Sequence, residues 1–257
     1  MDLAAIIGVV IAMAAIFVSM ILEGSSPMAI FLIPPILLVI VGSLGACLGS
    51  GTVASMMTGF KWLSYSFTAK PPSNEEIVDP LVKMAEKARR EGLLSLESEM
   101  DSIEDPFMSR GLQMAVDGTD PDDLYDILMA EVKAKKASAA IGAAFWTDAG
   151  GYAPTIGIVG TVIGLIHVLE NLSEPESLGH LIAAAFVATL WGVMSANVMF
   201  LPWGKRIKYL AALEAAKMEL VIDGVLAIQA GSNPRVVATK LRSKMTPAGP
   251  KQVEEAA

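Results

Sequence analysis

Histidine and cysteine are nearly missing, with two of the former and one of the latter in 257 residues. A lone cysteine, Cys47, excludes an intrachain disulfide framework and any multi-cysteine metal site. Its apolar surroundings mark it as a packed thiol. Two histidines leave a transition-metal centre few ligands to draw on. Aromatic residues make up 6% of the chain and offer no stacking platform, while charged residues are 18% with a net charge of -8. Nucleic-acid backbones need concentrated Lys and Arg, so they are excluded as partners. Signatures of covalent chemistry are absent as well: there is no glycine-rich phosphate loop followed by Lys-Ser/Thr, no HExxH helix and no nucleophile–histidine constellation. The expectation is a protein that is not an enzyme and carries no cofactor.

What the chain has instead is apolar length. Hydrophobic residues are 53% of the sequence, and mean hydropathy is +0.54. Residues 3–22, LAAIIGVVIAMAAIFVSMIL, run without a charge and would span about 30 Å as a helix, enough to cross a hydrocarbon core. Only Met1 and Asp2 precede them, without the basic segment of a signal peptide, so this stretch reads as a mature helix. After the turn EGSSP, no charge appears from Met28 until Lys61, which predicts a second span over about 28–50. Charges are sparse again over 137–199, and NLSEPES divides that region into spans near 150–170 and 178–200.

Charge placement orients these spans. Residues 61–136 hold 10 Lys/Arg against 16 Asp/Glu, and the tail after Gly204 holds 9 against 5. No Lys or Arg falls in the N-terminal segment or in either tight turn. The positive-inside rule then puts both charged blocks and both termini in the cytoplasm, with EGSSP and NLSEPES outside. The fold class expected is all-α: a polytopic membrane protein with four transmembrane helices and an α-helical cytoplasmic domain. Its divisions are a first hairpin over 1–60, a cytoplasmic domain over 61–148, a second hairpin over 149–204, and a cytoplasmic helix and tail over 205–257.

Within the cytoplasmic block, SNEEIVDPLVKMAEKARREG predicts a helix capped by Ser73, with Glu76 three residues on, Gly92 beyond its basic last turn and Pro80 as a point of interruption or kinking. TDPDDLYDILMAEVKAKKASAA predicts another, capped by Thr119 or Asp120. Short helices broken near Pro106 and Gly118 lie between them. Arg89, Arg90, Glu97 and Glu99 read, on their own, as ordinary solvated charges.

The third and fourth spans carry Pro154, Thr155, Thr161, Thr189 and Ser195 among many glycines and alanines. Gly157, Gly160 and Gly164 permit close helix contact. Pro154 removes a helical donor and frees a nearby carbonyl for water or an ion. A self-contained ion path places an ionisable group deep in the membrane, yet none falls at mid-span here. Asp2, Asp148 and Glu170 stand near predicted boundaries, and His167 and His180 near the outer end. If ions pass, the titratable group comes from another subunit, with Thr161 and Thr189 beside it.

YAPTIGIVGTVIGLIHVLENL (152–172) and LIAAAFVATLWGVMSANVMFLPWGKRIK (181–208), with ARREGLLSLE (88–97), closely resemble the MotA family of flagellar stator subunits. The resemblance extends over nearly the whole chain. It implies a homopentamer around two copies of MotB, a single-span protein whose membrane aspartate carries the ion, and torque delivered to the rotor protein FliG. It also implies an inner-membrane location, lipid contact, and H+ or Na+ as the coupling ion. Carried over by position, Arg89 and Glu97 match rotor-facing charges, with Arg90 able to share that role. Pro154 matches the proline near the ion-accepting site, and Pro202 the coupling proline at the cytoplasmic end of span four. Thr189 matches a polar position facing the MotB aspartate. Thr161 matches a position that is often threonine in sodium-type and alanine in proton-type members. Two other classes stay open: an ion-driven energiser of an outer-membrane system resembling ExbB and TolQ, and a non-conducting structural scaffold.

Overall fold

The computed structural model describes residues 4–69, 75–173 and 175–245, and among these no strand occurs. The chain divides into two compact units, each assembled from separated stretches: Met1–Lys70 with Ala137–Leu210, and Pro71–Lys136 with Ala211–Ala257.

In the first unit, α1 (Ala4–Leu22) ends in a turn where Gly24 takes φ +77°, a conformation that a Cβ would strain. Ser26 then accepts the Met28 N–H and opens a short 3-10 turn, Pro27–Ile30. Helix α2 (Ile33–Ser50) begins five residues later than the expected start at Met28. Leu32, extended, is its N-cap, and Pro34 and Pro35 fall in the first turn, where the missing N–H groups would have no helical acceptor. Helix α3 (Val53–Thr68) starts with a reciprocal cap between Thr52 and Ser55.

In the second unit, α4 (Glu75–Glu91) contains Pro80 and continues through it. The expected cap Ser73 lies outside the described residues. Gly92, at φ +85°, ends α4 and leads into a 3-10 segment, Leu93–Ser102. Asp105 caps α5 (Pro106–Val116), its carboxylate accepting the N–H groups of Phe107 and Met108. These turns fold over a core that includes Ile77, Leu81, Leu96, Leu112, Leu128 and Val221.

Helices α6 and α8 run through residues of both units. Helix α6 (Pro121–Glu170) is a single helix of 50 residues, where a helix near 119–140 and a separate span near 150–170 were expected. The alanine-rich stretch between them favours helix, and Pro154 inside it removes one donor without ending the run. Of the two candidate caps, Asp120 serves, its carboxylate accepting the Asp122 N–H at 2.9 Å. Beyond the turn, α7 (Pro175–Met194) passes through a six-residue π-helical segment, Ser195–Phe200, into α8 (Leu201–Gln229). The Leu201 N–H donates to Ala196 O, five residues back. Pro202 comes next, without an N–H and with a ring that crowds the carbonyl four residues behind; the widened turn accommodates both. Helix α9 (Pro234–Lys244), capped by Asn233, completes the second unit.

Among the described residues, three helical runs are long and apolar enough to cross a membrane: Ile33–Ser50 and stretches within Pro121–Glu170 and Glu176–Gln229. Ile6–Leu22 is a shorter apolar helix.

Within the first unit, α6 and α7 touch backbone to backbone. A Cβ on Gly157 would stand 2.8 Å from Ala188 O, one on Gly192 2.7 Å from Ala153 O, and one on Gly164 2.6 Å from the Ala185 Cβ. Phe60, Phe145, Trp146, Phe200 and Trp203 form an aromatic cluster, in which Trp146 Nε1 donates to Gly59 O at 2.9 Å. Cys47 is buried with its thiol 3.6 Å from Phe145 O, a packed group as expected. Gly157→Val should therefore lower stability by about 1–3 kcal/mol through overpacking. Gly179→Ala, whose added Cβ meets nothing within 4 Å, should stay within about 0.5 kcal/mol of the parent. Denaturant unfolding of the two purified variants checks the contrast.

Candidate functional site

The α6–α7 contact carries the polar centre of the first unit. Thr161 and Thr189 hydrogen-bond to each other through their hydroxyls. Thr161 Oγ1 also lies 3.2 Å from Gly157 O and 3.1 Å from Ala185 O, and Thr189 Oγ1 lies 3.5 Å from Gly157 O. Each hydroxyl has one proton to donate, so two donors among these oxygens leave lone pairs free for a proton donor or a cation. Pro154 stands two turns before Thr161 on α6, its α-carbon 3.3 Å from where a Gly192 Cβ would sit. Lacking an N–H, it leaves the Gly150 carbonyl without its helical donor.

Thr155 is not part of this group. It is exposed, and its hydroxyl donates to Tyr152 O at 2.8 Å. Pro202 is exposed at the start of α8, just past the π segment, and buried Ser195 donates to Gly192 O at 3.3 Å. At the far end of α6, exposed His167 holds its Nδ1 3.6 Å from Glu170 Oε2. Among the described residues no group of three or more His, Cys, Asp or Glu is arranged to hold a metal ion.

In the second unit, Arg89 and Arg90 are exposed at the end of α4, and Glu97 is exposed on the following 3-10 segment. None of the three makes an ion pair among the described residues. Their spacing is held by a neighbour instead: Lys87 Nζ reaches Glu99 Oε1 at 2.6 Å and Ser98 Oγ at 3.0 Å. Hydrogen bonding from Lys87 holds the Glu99 carboxyl below its ordinary range. Leu96, fully buried, anchors the same segment from beneath.

Sequence reasoning missed the polar ties behind this surface. Lys217 pairs with Asp105, Lys135 Nζ stands 2.6 Å from Glu214 Oε2, and Lys136 Nζ lies 2.9 Å from Glu219 Oε1. Partners about 80 or more residues apart leave no local pattern to read. Burial presses the Asp105 carboxyl upward, but the Lys217 ammonium and the Met108 and Phe107 N–H groups outweigh it and hold the pKa below the usual carboxylate value. Burial raises Glu214 and lowers Lys135.

Residues 99–220 match the model of the MotA/TolQ/ExbB proton channel family. Motility protein A of Bacillus subtilis is 37% identical over 244 residues, covering 94% of this chain and 90% of that protein. Chemotaxis protein PomA of Vibrio alginolyticus is 32% identical over 95% of each. The chain belongs to the MotA family of flagellar stator subunits. Two solved structures agree: C. jejuni MotAB superposes with a TM-score of 0.92 at 30% identity, and the flagellar MotAB stator complex from Bacillus subtilis with 0.87 at 36%. Each match covers 98% of this chain and 98% of the matched chain. For a MotA-family subunit, the exposed charges of α4 and the hydroxyl pair of α6 and α7 lie in different units, so the ties within each unit decide how firmly each set is held.

Asp105→Ala should remove both a helix cap and the partner of Lys217. We expect a loss of about 1–2 kcal/mol at neutral pH. The folded pKa is depressed, so this contribution is present above the ordinary carboxylate range and disappears as pH falls through the folded value. Unfolding of parent and variant followed by helical circular dichroism at pH 7 and pH 3 should show the gap closing in acid.

Proposed function

We propose that this chain spans the cytoplasmic membrane four times, with both termini inside, and acts as the ion-driven stator subunit that turns the flagellar rotor. Five copies surround two copies of a MotB-type partner. The observation that carries this reading is the Thr161–Thr189 hydroxyl pair beside Pro154, set in apolar helices that bring no mid-span carboxylate of their own. Such a site has acceptors for a cation or proton but no group to carry it. A MotB-type aspartate supplies that group. Likeness over nearly full length to motility proteins and to MotAB structures favours this partner over an outer-membrane energiser.

No covalent chemistry and no cofactor are assigned. An ion, H+ or Na+, neutralises the partner's aspartate near Thr189 and Pro154, then leaves toward the cytoplasm, so the favoured orientation of the partner within the ring changes with its charge. One inward charge is worth about 2.3 kcal/mol per 100 mV, enough to bias a small rotational step. Exposed Arg89, Arg90 and Glu97 then engage complementary charges on FliG.

Swimming speed of a stator-deleted bacterium expressing this chain with its MotB-type partner tests the reading, with sodium varied at fixed pH and membrane potential. Speed that saturates with sodium assigns sodium. Thr161→Ala should then raise the sodium concentration for half-maximal speed about tenfold, the cost of about one oxygen ligand. Full speed in sodium-free medium, lost when the proton gradient is collapsed, assigns protons. No motility with a compatible rotor and partner overturns the stator reading. Separately, Glu97→Lys should stop swimming, and reversing the facing charge on the rotor protein should restore it.

A further inference from the structure

Helix α3 presents a face that the rest of the first unit leaves uncovered. Its inner side is engaged along its length: a Cβ on Gly59 would stand 2.8 Å from Phe145 Cδ1, and one on Gly142 2.9 Å from Trp62 Cδ1. Trp62 Nε1 donates to Ser138 Oγ at 3.1 Å, and Arg206 Nε donates to Ser66 O at 3.0 Å. The opposite side carries Val53, Met57, Phe60, Lys61, Tyr65 and Thr68, all exposed and related by intervals of three and four residues.

Contacts with α6 give this face its depth. Cys47, near the end of the membrane-length helix α2, holds its thiol 3.6 Å from Phe145 O, and Gly59 packs on the ring of the same Phe145. The first half of α3 therefore runs beside the last turns of α2 and not below them. Three residues on, Trp62 meets Gly142, three residues back along α6, so α3 descends antiparallel to α6. Along that descent the exposed face changes in kind. Val53, Met57 and Phe60 are apolar beside α2; Lys61 comes about level with the end of α2, and Tyr65 and Thr68 lie beyond it. Lys61 is the first charged residue after Glu23 and makes no ion pair among the described residues. A bilayer grades a helix face in this order, acyl chains first, then headgroups that favour Lys and Tyr, then water. A second protein surface imposes no such order with depth.

We propose that Lys61 and Tyr65 bind the phosphate of an anionic phospholipid headgroup at the cytoplasmic surface of the membrane, with Val53, Met57 and Phe60 against its acyl chains. This rests on the membrane orientation proposed above. The two residues stand one helical turn apart on one face, and Tyr65 is restrained there by Trp62, whose ring it meets edge-on at 5.5 Å. The Lys61 ammonium supplies charge and the Tyr65 phenol a hydrogen-bond donor. A zwitterionic lipid presents the same phosphate beside a cation that Lys61 repels, so the site selects lipids of net negative charge. Helix α3 is then neither the end of the first hairpin nor the start of the cytoplasmic domain. It is an anchor that holds the chain at the boundary between them.

Spin labels test the depth, on the complex with the MotB-type partner in vesicles of phosphatidylcholine and phosphatidylglycerol, with Cys47 replaced by alanine. Labels on Val53→Cys and Met57→Cys should be relaxed more by oxygen than by a water-soluble nickel chelate, and the order should reverse on Thr68→Cys. Leu37→Cys, at an exposed position of α2, is the reference within the membrane. Native mass spectrometry of the complex reads the headgroup. Lys61→Gln should lower the preference for bound phosphatidylglycerol over phosphatidylcholine about fivefold per protomer, and Lys61→Arg should keep it. Nickel reaching positions 53 and 57, or neither reagent reaching them because protein covers them, overturns the proposal when Leu37→Cys still reports oxygen alone. A preference unchanged in Lys61→Gln overturns it as well. Nickel reaching Leu37→Cys overturns the membrane orientation itself, and this site with it.

Discussion

The missing side chains at Gly157 and Gly192 are the constraint on which the rest of the first unit depends. With no Cβ at either position, α6 and α7 approach until backbone meets backbone, closer than any larger residue allows. That approach brings the Thr161 hydroxyl onto the Thr189 hydroxyl and both into reach of Gly157 O. Two threonines at ordinary interhelical distance would each bond back to the preceding turn of their own helix and leave no shared group. The close contact also explains why the pair needs no charged residue to hold it. In lipid, where apolar burial between helices gains little, tight packing and interhelical hydrogen bonds supply the attraction.

Two prolines interrupt this regularity, and they differ in kind. Pro154 sits inside α6 and removes one donor while the helix continues. Pro202 follows a whole π-helical segment, in which the Leu201 N–H reaches five residues back. An inserted residue of this sort rotates everything beyond it by about 100° relative to an unbroken α-helix. The face that α8 presents after Leu201 is thereby reset from the face that α7 presents before Ser195. Gly150 packs against Leu201 and Gly204 against Thr147, so the reset face is the one that seats on α6.

The start of α6 was legible in Asp120–Pro121, a carboxylate taking up a first-turn N–H while proline has none to satisfy. Pro106, expected as a break, opens α5 behind Asp105 by the same chemistry, whereas Asp79–Pro80 lies inside α4 and opens nothing. The glycine stripe of α6 was legible too, because small residues three and four apart can only matter at a contact. Less visible was the continuity of α6, since charge ends near Lys136 while helical preference does not. Periodicity shows where water stops, not where a helix stops. The π segment had a signal in Pro202 that composition alone could not convert into geometry. Pairs such as Asp105 with Lys217 and Lys135 with Glu214 join residues far apart in sequence, and nothing local announces them.

Those pairs bear on how firmly the second unit holds its exposed charges. Asp105 is at once the cap of α5 and the partner of Lys217 on α8, and the 3-10 segment that carries Glu97 ends just before it. Lys87 with Glu99 fastens the other side of that segment to α4. A push on exposed Glu97 therefore meets three anchors: the Lys87–Glu99 bridge, buried Leu96 and the Asp105–Lys217 bridge. An exposed ion pair alone contributes little stability, but apolar burial resists separation and a bridge resists sliding. The combination keeps a charged surface in register with the helix behind it. Under the proposed stator reading that register matters more than any single strong contact, because a charge that yields under load does work on its own tether.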